Sequence, residues 1–438
     1  MYNFRRGAFI ALSLYFLIRI RMSIRTNSER FKETVDSILD RKVSDFLPRI
    51  HTAPGDDLQR ILDLQLYLSC LIKNGKWTID SQLWPSFSLA KACSHSNVHS
   101  RFSDLASTAD LCYFLSGKKI LFIGPETTYY LHSLWLASLE TYERRSHTCL
   151  GHEFCTFHHI CRLSTVSGEL PLEGLTDGRK KKMPSNNMLM TLKSSLFQYT
   201  FSTTLDASEN NHDRLYTKPV VDEQTAIRVP NTYWLRRARK ADVIVINRGP
   251  VPSPATTYAF SSEKSGNWTF TRNICAQNNH LGSSPCNATL ETLLVNAALH
   301  VTVNYYLPSL FQSLQIISQD IEIARSSLVW QSSWYIQPIC SLALLPNSVS
   351  LLEDTWSTEN VGLVDPWTFY YNSQVYMHDR LLPKILPHFN ITYIPLTMPT
   401  YLRPQLRLPQ KEWDISAAHP KDCLRQPWPT FGAYSLEM

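Results

Sequence analysis

The sequence predicts an α/β fold with a mostly parallel sheet, and three observations carry that reading. Two apolar runs rich in β-branched residues, Ile120 to Ile123 and Ala241 to Ile246, have the length and content of strands buried on both faces. Each ends in a turn of glycine, proline or polar residues, Gly124-Pro125 and Asn247-Arg248-Gly249-Pro250. Between and beyond them the apolar spacing turns helical, so strands alternate with helices as parallel sheets require.

The elements follow in order. Glu29 to Ile50 and Asp57 to Leu71 have helical spacing, and the aromatic stretch Trp77 to Phe87 is expected to dock on the main domain. The opening strand, Ile120 to Ile123, is led in by Lys118 and Lys119 and broken by Gly124-Pro125. Glu126, Thr127 and Thr128 then start an aromatic-rich helix over Tyr129 to Leu139. A strand, a tight turn and a polar helix start are how α/β folds present backbone N–H groups and a nucleophile at the carboxyl end of a sheet. The local pattern fits a plain strand-to-helix turn equally well, so it marks where a site would lie rather than its chemistry.

Residues 164–232 lack steady periodicity and hold the basic run at Arg179 to Lys182, so they read as a mobile, solvated insertion. Order resumes at Arg239, before the strand that ends at Asn247. A helix is expected over Leu290 to Ala324 with a break at Pro308, and a strand over Ser327 to Ile336. A further helix over Thr368 to Phe389 and a strand over Ile391 to Leu396 complete the pattern, before a Pro-rich remainder.

Composition bounds the function. With 438 residues, 44% apolar and 18% charged, the chain is globular. Its formal charge of +6 is mild and comes partly from local clusters, and no aromatic-interleaved basic stripe occurs, so no nucleic-acid partner is expected. Arg5 and Arg6 precede the apolar run Gly7 to Ile18, and Arg19, Arg21 and Arg25 follow it. That run is short for a bilayer span of roughly 20 residues, but it suits an uncleaved signal-anchor stretched by snorkelling arginines. Sequons at Asn267, Asn287 and Asn390 and ten cysteines then point to the secretory pathway, with membrane contact expected through the N-terminal segment. Cys275 and Cys286 flank an Asn/Gly/Ser-rich loop that suits a local bridge. The resulting division is 1–25 for cytosolic tail and anchor, 26–105 for a stem and lead-in, and 106–438 for the luminal domain.

Several motifs are weighed and set aside. His99 and Asp104 match a lipid-acyltransferase pattern but lack its membrane helices. His147 to Cys161 is dense in cysteine and histidine, the ligands of zinc. Its six-residue cysteine spacings match no common zinc pattern, and disulfides compete in a lumen, so neither metal nor cofactor is expected. No GxSxG, P-loop or GxGxxG is present, and no Asp-x-Asp, which weakens metal-dependent glycosyl transfer but not the metal-independent kind.

Three pieces together resemble one family: the strand ending in Gly124, the strand ending in Asn247-Arg248-Gly249, and the terminal Asp422-Cys423-Leu424. Over roughly residues 110–438 the chain is similar to SGNH-like esterases and acyltransferases, as a fungal member of the group that holds the trichome-birefringence-like and capsule O-acetyltransferases (the PC-esterases). The resemblance implies an SGNH-hydrolase-like three-layer fold. In that family the first turn reads Gly-Asp-Ser with a serine nucleophile, the later Asn helps line the oxyanion hole, and a terminal Asp-x-x-His completes the triad. Here the turn reads Gly124-Pro125-Glu126 and the terminal motif reads Asp422-Cys423-Leu424-Arg425, so Gly124, Asn247 and Asp422 carry over while serine and histidine do not.

A hydroxyl attacks only when an imidazole takes its proton and an acid orients the imidazole. The candidates left are Glu126 as a carboxylate nucleophile, Thr127 or Thr128 as hydroxyls, His419 as base and Asp422 as its orienter, with Gly124, Asn247 and Arg248 on the oxyanion or binding side. Three functions stay open. The first is a membrane-anchored luminal O-acyltransferase or esterase acting on a glycan or polysaccharide acceptor. The second is a catalytically silent relative that binds a glycan or a partner enzyme. The third is a metal-independent Golgi glycosyltransferase.

Overall fold

The computed structural model describes residues 32–49, 55–74, 76–79, 85–88, 108–143, 157–161, 184–205, 220–221, 225–229, 234–258, 266–277, 286, 289–333 and 366–395. The expected anchor and cytosolic tail, Asn287, His99, His419 and Asp422 all lie outside these residues. Among the described residues, no helix is long and apolar enough to cross a membrane.

Residues 32–46 form α1, followed by α2 (Gly55–Lys73) and a hairpin of β1 (Lys76–Ile79) with β2 (Pro85–Ser88). Next come α3 (Thr108–Phe114), β3 (Lys119–Gly124), α4 (Glu126–Glu143), β4 (Phe157–Ile160), α5 (Asn186–Thr191) and β5 (Ser195–Phe201). A small antiparallel pair, β6 (Val220–Val221) and β7 (Arg228–Val229), precedes α6 (Leu235–Ala238) and β8 (Val243–Ile246). The chain continues through α7 (Thr269–Gln277), α8 (Leu290–Val301), α9 (Leu307–Gln319), α10 (Ile321–Ala324), β9 (Ser327–Gln331), α11 (Pro366–Ile385) and β10 (Thr392–Ile394).

Six strands form the main sheet in the order β10-β9-β8-β3-β5-β4. All pairings are parallel except that of β4 with β5, so the α/β, mostly parallel expectation holds. β3 is central, and Ile120 to Ile123 are fully buried. Successive residues face opposite layers. Leu121, Ile123, Ile244, Ile246 and Trp330 pack with α8, α9 and α11, whereas Ile120, Phe122, Phe197 and Val245 pack with Leu131, Trp135 and Leu139 of α4. Helices therefore cover both faces, which is why Ile120 to Ile123 of β3 and Val243 to Ile246 of β8 are apolar at every position rather than alternating.

The structure corrects three sequence expectations. Residues 164–232 are not an insertion throughout, because β5 lies within them and pairs with β3 along its whole length. The sequence of β5, SLFQYTF, mixes polar and apolar residues. Its polar groups are absorbed by partners far away in the chain: Ser195 Oγ donates to Leu115 O and Tyr199 Oη to Gly124 O. The helix expected to break at Pro308 instead runs through it. A π-turn at Thr302–Tyr306 accommodates the missing proline N–H, and the helix ends at Asp320, whose side chain caps α10.

The stem expected over 26–105 is, over α1 and α2, part of the domain. Val35, Leu39 and Val43 of α1 are buried in the same core as α8 and α11, and Asp36 accepts a hydrogen bond from Tyr376 Oη. Gln65 of α2 pairs its amide with both backbone groups of Tyr393 at 2.7 Å, closing the exposed edge of β10.

Two disulfides join described residues, Cys112–Cys161 and the expected Cys275–Cys286, and Cys70 is disulfide-bonded as well, as suits an oxidising compartment. Asn267 and Asn390 are exposed, and Asn390 occupies a left-handed turn after α11.

Candidate functional site at the switch point of the sheet

The parallel strands read β5-β3-β8-β9-β10, so successive crossovers run outward in opposite directions from β3 and β8. A crevice at the carboxyl ends of such a pair is where open α/β sheets bind ligands. β3 ends there in Gly124 and β8 leads into Asn247.

Gly124 is held tightly. Its carbonyl accepts from Ser202 N–H at 3.0 Å and from Tyr199 Oη at 3.1 Å. A Cβ at this position would lie 2.9 Å from Thr128 Cβ and 3.0 Å from Asn247 O, with Thr128 Oγ1 nearer still. The first turn of α4 and the end of β8 therefore close on the glycine, and only a hydrogen fits between them. Gly124→Ala is expected to cost about 1–3 kcal/mol of stability through this overpacking. Urea unfolding checks it, and Thr128→Ala in the same chain should recover part of the loss; a neutral Gly124→Ala would contradict the packing.

Thr127 is half-buried at the start of α4, and nothing of the Glu126 side chain is described. Thr128 is buried beneath Gly124, and its Oγ1 has no hydrogen-bond partner among the described residues. Asn247 donates from Nδ2 to Gln331 O at 2.9 Å and to Ser333 Oγ at 3.4 Å, while its buried Oδ1 has no partner among the described residues. Ser333 Oγ donates in turn to Arg248 O at 3.4 Å, so the ends of β8 and β9 are laced together.

Arg248 departs from the expected binding role. Its guanidinium turns into the core, 4.8 Å above the Tyr306 ring, and Nη1 donates to Tyr306 O. His378 stacks on the same ring at 3.6 Å. Burial, with the positive charge of Arg248 added, holds His378 well below the usual histidine range, and burial pushes the Tyr306 hydroxyl far above its own. The sequence-adjacent Asn247 and Arg248 therefore serve different regions.

Gln331 and Ser333 escaped the sequence reading, although the same signal marked them: an apolar run, SLVW, ending in the polar Gln331-Ser332-Ser333. Cys112, Glu143 and Cys161 bring their donor atoms within 4.8 Å of one another. The two sulfurs are bonded to each other and Glu143 accepts from Cys161 N–H at 2.6 Å, so the group supplies no thiolate for a metal.

No protein-family model, no curated protein and no solved structure matches the chain.

Proposed function

We propose that the chain is an SGNH-like, membrane-anchored protein of the secretory-pathway lumen that acts on acyl esters of glycans, with its site at the carboxyl ends of β3 and β8. The supporting observation is the meeting of Gly124 and Asn247, 123 positions apart, at the switch point of the sheet. These are the positions that correspond to the nucleophile turn and the oxyanion-side asparagine in the resemblance described above. In this reading Thr127, or Glu126 as a carboxylate, attacks the acyl carbonyl. His419, oriented by Asp422, takes the proton of the threonine hydroxyl and returns it to the departing alcohol. A sugar hydroxyl then attacks the acyl-enzyme and receives the acyl group, restoring the nucleophile.

A second reading is favoured by two details. Both protons of the Asn247 amide are engaged inside the protein, and the Thr128 hydroxyl is enclosed with no imidazole beside it among the described residues. A relative that keeps the site for binding a glycan or partner enzyme, without turnover, would look like this.

Incubating the full chain with an activated acetyl ester, with and without acceptor glycan, separates them. The acyl-transfer reading expects turnover that falls by orders of magnitude in Glu126→Ala, Thr127→Ala or His419→Ala. Saturable glycan binding with no turnover supports the silent relative, and hydrolysis of a sugar nucleotide instead supports a metal-independent glycosyltransferase.

A further inference from the structure

Eight large apolar side chains stand exposed among the described residues, and five of them share one edge of the fold. Tyr113 and Phe114 lie on α3, Met188 and Met190 on α5, and Ile321 on α10. These short helices lead into β3, β5 and β9, so the parallel topology brings them to the amino-terminal edge of the sheet, opposite Gly124 and Asn247. Tyr113 is 79% exposed and Ile321 71%, the two highest values among the eight.

α3 and α5 form one surface. The turn after α3 is tied to the chain after α5 by Gly117 N–H donating to Ser194 O at 2.9 Å. Gly117, at φ +77°, lies so near Met190 that an added Cβ would stand 2.9 Å from its Cγ. Met190 thus covers the turn that begins immediately after Phe114.

The same edge is cationic. Lys118, Lys193, Lys240 and Arg325 are exposed and immediately precede β3, β5, β8 and β9. The acidic groups there are mostly engaged: Asp242 accepts from Lys119 N–H at 2.8 Å, and Asp320 is paired with Arg239 at 2.6 Å. Glu322 is exposed and is the exception.

Aromatic and thioether groups ringed by ammonium groups match a bilayer interface, where rings and methylenes enter the headgroup boundary and cations meet phosphates. The N-terminal run Gly7 to Ile18, read as an anchor, is separated from α1 by the 13 residues 19–31, which span at most about 45 Å. The domain is then held within reach of the bilayer.

We propose that this edge, through Tyr113, Phe114, Met188 and Met190 with Lys118 and Lys193 beside them, docks on a phospholipid bilayer surface. The carboxyl-end site then faces away from the membrane, toward soluble or extended substrates. The proposal does not rest on the acyl-ester reading of that site.

The test reconstitutes the full chain into phosphatidylcholine vesicles, with and without phosphatidylserine, carrying a photoactivatable diazirine phospholipid. Labelled peptides are then mapped by mass spectrometry. The expected labels fall in residues 1–31 and in the peptides holding α3 and α5. Replacing Tyr113→Ser and Phe114→Ser together should reduce the α3 and α5 labels to background and leave the N-terminal label unchanged. Lys118→Glu with Lys193→Glu should weaken them most in the phosphatidylserine vesicles. Retention of the Cys112–Cys161 bridge reports that each variant has folded. Label confined to residues 1–31, or label spread evenly over the surface, would each overturn the proposal.

Discussion

Replacing Cys112 and Cys161 by alanine is expected to lower the unfolding free energy by about 4 kcal/mol. The bridge joins residues 49 positions apart, and the loop-closure entropy it removes from the unfolded chain grows with the logarithm of that span. It also joins the start of the β3 unit to the end of β4, the antiparallel edge strand, so its loss frees that edge. The Cys275–Cys286 bridge spans 11 positions, and the same relation gives about 3 kcal/mol for its removal. Guanidinium unfolding of the oxidised protein and the two double variants checks both values and their order. If the shorter bridge proves the more costly, the entropic account fails for this protein.

Acidification is expected to destabilise the fold from just below pH 6.5, before carboxylates titrate. His132 is buried on α4, stacked on Phe197 at 4.6 Å with both ring nitrogens unpartnered among the described residues, and burial, then the neighbouring His158, holds it well below the usual range. His378 is depressed in the same way, by burial and then by Arg248. Both imidazoles stay neutral in the fold but take up protons in the unfolded chain once the pH falls below about 6.5. The unfolded state then binds more protons, so stability is full above that pH and declines as pH drops. Each group contributes about 1.4 kcal/mol per pH unit, or nearly 3 kcal/mol together. Urea unfolding at pH 7, 6 and 5 measures the slope. His132→Phe, which keeps a ring against Phe197, should remove about half of it; equal stability at all three pH values would show that neither imidazole is held neutral.

How far the sequence reached is clearest from particular elements. Ile120 to Ile123 and Val243 to Ile246 announced themselves because a strand covered on both faces must be apolar at every position. The Cys275–Cys286 bridge was legible because its span is local. β5 was not, since Gln198, Tyr199 and Thr200 are polar by composition, and the partners that make them tolerable in a buried strand come from distant segments. One of them is Arg237, which donates to Tyr199 O and Thr200 Oγ1. The opposed roles of Asn247 and Arg248 were equally hidden, because neighbouring residues at a strand end point to different layers.

The sequence by itself determined the fold class, the central strand and the two turns at which a site could form, because hydrophobic periodicity and turn residues act over short range. Only the tertiary structure decided that Gly124 and Asn247 touch and that α1 and α2 belong to the domain. It also decided that five exposed apolar groups gather on one edge. Those are consequences of strand order, and strand order is set by long-range burial and hydrogen bonding that no local stretch of chain encodes.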